Sequence, residues 1–167
     1  LQADPEVAIV GPLLVFPDYP EIVQAAGIGF TARGRVGYLY RGDPVEMLPM
    51  MPVQVGASPS ACWLLRPEAQ RTVGLFDEEF YPVQYEDVDF CVRLGLEGWK
   101  IICDCSVKIA HIGNVTTRNL SDHPFARLTV RNAMRFREKW ASVLPQIATL
   151  REENIYWGPV PRPAGGE

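Results

Sequence analysis

The chain has 167 residues, 47% of them hydrophobic and 22% charged, with a mean hydropathy of -0.02, enough for one domain that buries most of its apolar surface. Sixteen Lys and Arg against twenty Asp and Glu leave a formal charge of -4, which argues against a protein built to grip nucleic acid phosphates. No run approaches the roughly 20 apolar residues of a membrane helix, and Leu1-Gln2-Ala3-Asp4-Pro5 holds neither an initiator Met nor a signal peptide, so the chain reads as a cytoplasmic piece of something longer.

Glu6 to Gly11 and Leu13 to Phe16 read as two β-branched, strand-like runs separated by Gly11-Pro12 and closed by the turn composition Pro17-Asp18-Tyr19-Pro20. The stretch Gly27 to Pro52 has no sustained period and reads as a long surface loop with at most one strand, of the kind that serves a site. Val53-Gln54-Val55-Gly56 leads through the small residues Ala57-Ser58-Pro59-Ser60-Ala61 to a buried strand over Cys62-Trp63-Leu64-Leu65. Pro67 starts a short helix that Gly74 ends.

A longer helix follows Tyr85, with Glu86, Asp87 and Asp89 in its first turn and Gly98 past its end, the polarity a helix dipole favours. Trp99 to Cys103 is strand-like, and Cys103 and Cys105 alternate as strand residues do. The four cysteines form no C-x-x-C pair and read as reduced thiols with no zinc role. Ser121 or Asp122 caps a last helix that Pro124 begins, its apolar face carrying Phe125, Leu128, Ala133, Phe136, Trp140 and Val143. Residues 157–167, rich in Pro and Gly, form a flexible tail.

Chemistry concentrates between Asp77 and Asp89, where five carboxylates up to Asp87, plus Asp89, interleave with aromatics. Acids at a helix start are usually cap and dipole partners, but aromatic faces stack on sugars and carboxylates accept hydroxyl protons, so the ensemble suits a sugar cleft. Asp87-Val88-Asp89 spells D-x-D, yet residues two apart on a helix point about 200° away from each other, so both cannot close on one cation. One faces the cleft and the other is solvated or caps the helix. His111 at a strand end reads, alone, as a hydrogen-bonded structural residue. Arg127, Arg131 and Arg135 recur every four residues as a solvated strip; the sharper reading is peripheral contact with an anionic lipid-linked acceptor or the inner membrane face. The sequons at Asn114 and Asn119 read as chance.

Several motifs in order, Val55-Gly56-Ala57, Cys62-Trp63-Leu64-Leu65-Arg66, Val73 to Phe80, Tyr85-Glu86-Asp87-Val88-Asp89-Phe90, Gly98-Trp99-Lys100-Ile101 and Ala110-His111-Ile112-Gly113, resemble the acceptor half of family 2 glycosyltransferases, especially the rhamnosyltransferase-like branch. Val10-Gly11-Pro12, Ala26-Gly27-Ile28-Gly29-Phe30 and Arg131-Asn132 extend the likeness over all but the tail. The resemblance implies an α/β, mixed-sheet, C-terminal portion of a GT-A fold over residues 1–156, with the donor-binding half missing. It implies an inverting transfer from a nucleotide diphosphate sugar to a glycan or lipid-linked acceptor, with Asp87 as general base and Glu86 beside it. Gly56, Ala57, Ser58, Trp63, Tyr85 and Asp89 would bind substrate. His111 would help hold the Mg or Mn ion of the parent enzyme, whose other ligands lie outside this chain, so no tightly bound cofactor is expected here. The rival reading is a non-catalytic module that binds a glycan or protein, or dimerises; a metal-dependent hydrolase is a weaker third.

Overall fold

The structure, a computed structural model, describes residues 1–82, 84–113 and 125–154. In chain order the elements are β1 (Val7–Phe16), β2 (Tyr19–Ala25), β3 (Ile28–Phe30), β4 (Val36–Tyr38), β5 (Pro52–Val55), β6 (Leu64–Leu65), α1 (Pro67–Val73), α2 (Glu86–Leu96), β7 (Lys100–Ala110), α3 (Phe125–Trp140) and α4 (Leu144–Ile147). They form the expected mixed α/β architecture, a mixed sheet flanked by helices. The main sheet runs β2-β1-β7-β5, with β6 also on β1; β1 and β7 are parallel, and β2, β5 and β6 run antiparallel to their neighbours. No helix among the described residues is long and apolar enough to cross a membrane.

Gly11-Pro12 does not end the first strand: β1 runs through it to Phe16. The missing Pro12 N–H is accommodated by a break in register, since Pro12 faces Asp104 while Leu13 faces Lys108, so that β7 bulges over Cys105 to Val107. A Cβ at position 11 would stand 2.2 Å from Ser58 Oγ, so any side chain there would displace Ser58. A turn at Pro17-Asp18 then returns the chain as β2, which includes Tyr19 and Pro20.

Residues 27–52 are not a surface loop. They form the β3–β4 hairpin and a 3-10 turn at Val45–Met47, and they put Ile28, Phe30, Thr31, Val45 and Leu48 in the core. The long-range pairing that buries them, Ile28 with Ala57 through two backbone hydrogen bonds of 2.7 and 2.9 Å, has no local periodicity. The strand around residue 64 is shorter and less buried than expected: only Leu64 and Leu65 pair with β1, and Cys62 and Leu64 are exposed.

The helices follow their sequence signals. Pro67 opens α1 and Gly74, at φ 79°, closes it; Gly98 follows α2 at φ 84°. From α2, Val88, Phe90, Cys91, Val92 and Leu94 enter the core. Cys103 and Cys105 are buried on β7, and none of the four cysteines is in a disulfide. Helix α3 stops at Trp140, so Val143 is not part of it, and its fully buried side chains are Asn132 and Phe136. Burial of Phe80 and Phe136, each almost completely sealed, contributes roughly 1.5–3 kcal/mol apiece. The cap at Ser121, Asp122 and Pro124, the sequons at Asn114 and Asn119, and the tail 157–167 lie outside the described residues.

Candidate functional site

Glu86 and Asp87 open α2, and the chain reaches them through two residues in the left-handed region, Gln84 at φ 67° and Tyr85 at φ 73°. Neither is a glycine, so each costs about 1 kcal/mol or more, and the surroundings must enforce it. The enforcement comes from α3. Asn132, fully buried, donates from Nδ2 to the carbonyls of Phe80 at 2.7 Å and Gln84 at 3.0 Å. Arg131 donates to the Tyr81 carbonyl, and Arg135 to the Glu79 carbonyl at 2.6 Å with a further ion pair to the Glu79 carboxylate. Lys139 meets Asp77 at 2.6 Å. Tyr85 packs its ring on Phe136, centroids 5.5 Å apart. Two members of the basic strip, Arg131 and Arg135, are thus tied to the loop that aims α2 rather than standing free in solvent.

The two acids of the D-x-D part company, as the helical spacing demands. Asp89 is fully buried and its carboxylate is engaged by Arg93 at 2.9 Å, Lys139 at 2.7 Å and the Trp140 indole at 3.0 Å. It is a packing anchor, neither solvated nor helix-capping, and it does not reach a cleft. Asp87 is half-buried. Its Oδ2 accepts from the Ser60 amide at 3.2 Å and its Oδ1 from the Val88 amide at 2.8 Å, which fixes the carboxylate in orientation. Burial pushes the Asp87 carboxyl above its ordinary value; the amides of Ser60 and Val88 oppose this without cancelling it. The helix N-terminus, expected to favour the ionised form, is outweighed by desolvation. Glu86 is raised too, by burial and then by the Asp87 charge, and its Oε2 is buried with no hydrogen-bond partner.

Tyr38 on β4 belongs to the same neighbourhood. Its phenol is pushed up first by burial and then by the charges of Asp87 and Glu86. The Arg41 guanidinium lies 5.4 Å from the Tyr38 ring centre and 5.0 Å from that of Phe16, and donates to the Gln24 carbonyl at 3.1 Å. Tyr38 also lines a cavity of about 430 Å³ with Tyr40, Gln54, Gly56, Thr149 and Leu150.

Of the small-residue lead-in, Gly56 reaches this cavity. Ala57 and Ser58 are buried and lead into the turn whose Ser60 amide holds Asp87. Trp63 sits elsewhere, packed on Phe76 and Phe90 at 6.3 and 6.2 Å and lining a groove of about 200 Å³ that shares no lining residue with the larger cavity. The structure therefore sets Glu86 and Asp87 side by side at the start of α2, with Asp87 on the Ser60 amide, and Gly56 with Tyr38 at the cavity, whose lining includes none of Glu86, Asp87, Asp89, Ala57, Ser58 and Trp63. Tyr85 serves the approach to α2.

His111 is tied to β2. Its Nδ1 lies 2.6 Å from Gln24 Oε1, its carbonyl accepts from Gln24 Nε2 at 2.9 Å, and its amide donates to Val15 at 3.1 Å. Among the described residues no group of three or more His, Cys, Asp or Glu could hold a metal ion, so the side chains present do not by themselves make a site for the expected Mg or Mn. Tyr38, Arg41, Gln24 and the clamp through Asn132 were not singled out by sequence reasoning as site residues; only the aromatic density of residues 38–40 hinted at the first.

No protein-family model matches the chain. Over 125 aligned residues it is 30% identical to the O-antigen biosynthesis protein RfbC of Myxococcus xanthus, an alignment that covers 68% of this chain and 9% of that protein. The chain is thus similar to a small segment of its relative.

Proposed function

We propose that the chain is the acceptor-side part of an inverting glycosyltransferase of the family 2, rhamnosyltransferase-like type, acting in polysaccharide biosynthesis. The parent enzyme would transfer a sugar from a nucleotide diphosphate donor to a hydroxyl of a glycan or lipid-linked acceptor at the cytoplasmic face of the membrane. The observation that carries this reading is the Asp87 carboxylate, held by two backbone amides and made more basic by burial. Similarity to a protein of O-antigen biosynthesis supports the glycan class of substrate.

In this reading the acceptor oxygen attacks the anomeric carbon as its bond to the diphosphate breaks from the opposite face, and Asp87 takes the hydroxyl proton. A carboxylate with a raised pKa accepts a proton more readily than an ordinary one. Glu86 stays close enough to tune it. The donor phosphates and any divalent ion are left to residues other than those described here, and no step is assigned to a metal. Of the arginines, the exposed Arg127 is the one we assign to an anionic acceptor, whereas Arg131 and Arg135 act on the loop before α2.

The test is Asp87→Asn in the full-length parent, assayed for transfer of radiolabelled sugar with its fold followed by circular dichroism. We expect turnover to fall by about 10²–10⁴-fold, the usual worth of a general base. A folded variant that turns over at the native rate defeats the assignment.

A further inference from the structure

We propose that the cavity of about 430 Å³ is a binding site for the hydrocarbon chain of a lipid, and that Tyr40 is held at its rim to cover the bound chain. The claim stands on the cavity and its rim; where the transferase reading also holds, the chain is that of a lipid-linked acceptor.

The walls set the ligand class. The volume falls within the roughly 300–1,000 Å³ of small-molecule sites. No Lys, Arg, His, Asp or Glu is among the described residues that line the cavity, so a phosphate or carboxylate inside it would lose its hydration and find no counter-charge. Leu39, Val53, Val55 and Leu150 supply aliphatic surface. Besides two tyrosines, the polar side chains in the described lining are Gln54, Thr149 and the Cys105 thiol, and Thr149 Oγ1 already accepts from the Phe30 amide at 3.2 Å. A sugar needs several convergent hydrogen-bonding groups, whereas a run of methylenes needs none and gains by leaving water.

The second support is the backbone at the rim. Tyr40 lines the cavity at φ 58°, in the left-handed region where Asn and Gly are at ease and a bulky residue is not. Main-chain bonds fix this turn: the Leu39 carbonyl accepts from Ala26 at 3.1 Å, the Leu39 amide donates to Gly27 at 3.0 Å, and the Tyr40 carbonyl accepts from Asp43 at 3.0 Å. None of these requires the Tyr40 ring, which is 48% exposed and so gains less from burial than a core aromatic. A strained aromatic residue kept at the mouth of a cavity points to a task performed on a ligand.

The third is apolar surface that continues outward. Met50 and Met51 lie between Pro49 and Val53, both of which line the cavity, and both methionines are exposed. Methionine is flexible and adapts to apolar partners. With Tyr38 and Tyr40, each an apolar ring with a polar tip, they offer a path for a chain longer than the cavity.

The experiment is an amide NMR titration of the 167-residue chain with geraniol and decanol as neutral hydrocarbon probes and methyl rhamnoside as a sugar probe. At least one alcohol should shift the amides of Tyr38 to Tyr40 and of Val53 to Gly56 saturably, and methyl rhamnoside should leave them in place. Tyr40→Asn, which suits the left-handed turn, should weaken binding about tenfold with a urea midpoint no lower than native. Met50→Ser with Met51→Ser, a change confined to exposed side chains, should weaken it too, and Tyr40→Phe should bind as the native chain does. Unchanged binding in either of the first two variants, or weaker binding of Tyr40→Asn together with a lowered midpoint, overturns the rim. Failure of both alcohols to give saturable shifts, or a saturable response to methyl rhamnoside, overturns the hydrocarbon site. Native turnover of Asp87→Asn in the parent would sink the transferase reading and leave these outcomes untouched, so the two failures are distinct.

Discussion

The Trp140 indole Nε1 donates to Asp89 Oδ1 at 3.0 Å, joining the first turn of α2 to the end of α3 through a carboxylate with no solvent exposure. The same carboxylate meets Lys139 and Arg93, two cations that keep part of their surface in solvent while the carboxylate itself has none. Asp89→Ala removes these charge-assisted hydrogen bonds while Lys139 keeps Asp77 and Arg93 keeps the Val73 and Leu75 carbonyls, a loss of about 1.5–3 kcal/mol. Asp89→Ala should lose that much in urea denaturation. A loss below about 1 kcal/mol would mean that the network behaves as a surface pair.

Asp87 and Glu86 should behave in the opposite way. Each has a folded-state pKa raised above its ordinary value, 3.8 for Asp87 and 4.5 for Glu86. Between the ordinary and the raised value the folded chain holds more protons than the unfolded one, so stability declines as pH rises through that window and the deficit persists at neutral pH. Asp87→Asn and Glu86→Gln should therefore be more stable than the native chain at neutral pH and lose that advantage below the ordinary carboxyl values. Urea midpoints at neutral pH and near pH 3 decide it: a neutral-pH midpoint at or below native for both variants refutes the sign. Asp77 runs the other way, because Lys139 and the Glu79 amide lower its pKa. It contributes stability above 3.8 that is lost as pH falls through its lowered value.

These contrasts mark how far the sequence could be read. The helix between Tyr85 and Gly98 was legible because its signals are local: acids first, Gly98 last. Helical geometry also required Asp87 and Asp89 to diverge. It could not say which one was buried, since that depends on Lys139 and Trp140 some fifty residues away. Residues 27–52 defeated a periodicity reading for the same reason: Ile28 is buried by Ala57, and Arg41 is held by Phe16 and Gln24. Arginines spaced by four look the same in sequence whether they face solvent or, as Arg131 and Arg135 do, seek backbone carbonyls near residue 80.

Asn132 offers a test of that clamp. Its side-chain amide spans the Phe80 and Gln84 carbonyls, and Gln84 and Tyr85 are the two residues with positive φ that lead into α2. Asn132→Ala leaves both carbonyls without this donor in a buried setting, at about 1–3 kcal/mol for each unsatisfied group. Overall stability should fall by about 2 kcal/mol or more, and amide exchange in the first turn of α2 should accelerate more than in β7. Uniform acceleration across both elements would show that Asn132 supports the fold at large rather than the approach to Glu86 and Asp87.

His111 is the one metal ligand that the resemblance implies within this chain. A histidine that ligates a cation leaves one ring nitrogen for the metal and uses the other to fix its orientation. Here Nδ1 faces Gln24 Oε1 at 2.6 Å, and its donor role there would leave Nε2 facing outward as an acceptor. That arrangement suits a ligand in form, yet no further His, Cys, Asp or Glu joins it among the described residues to complete a set. His111→Gln keeps a polar side chain beside Gln24 without the imidazole. In the full-length parent we expect the manganese concentration for half-maximal turnover to stay within about twofold of native, with a stability loss of about 1 kcal/mol from the weakened pair. A shift of about tenfold, equal to 1.4 kcal/mol of ion affinity, would instead make His111 a ligand, with its partners supplied from outside the described residues.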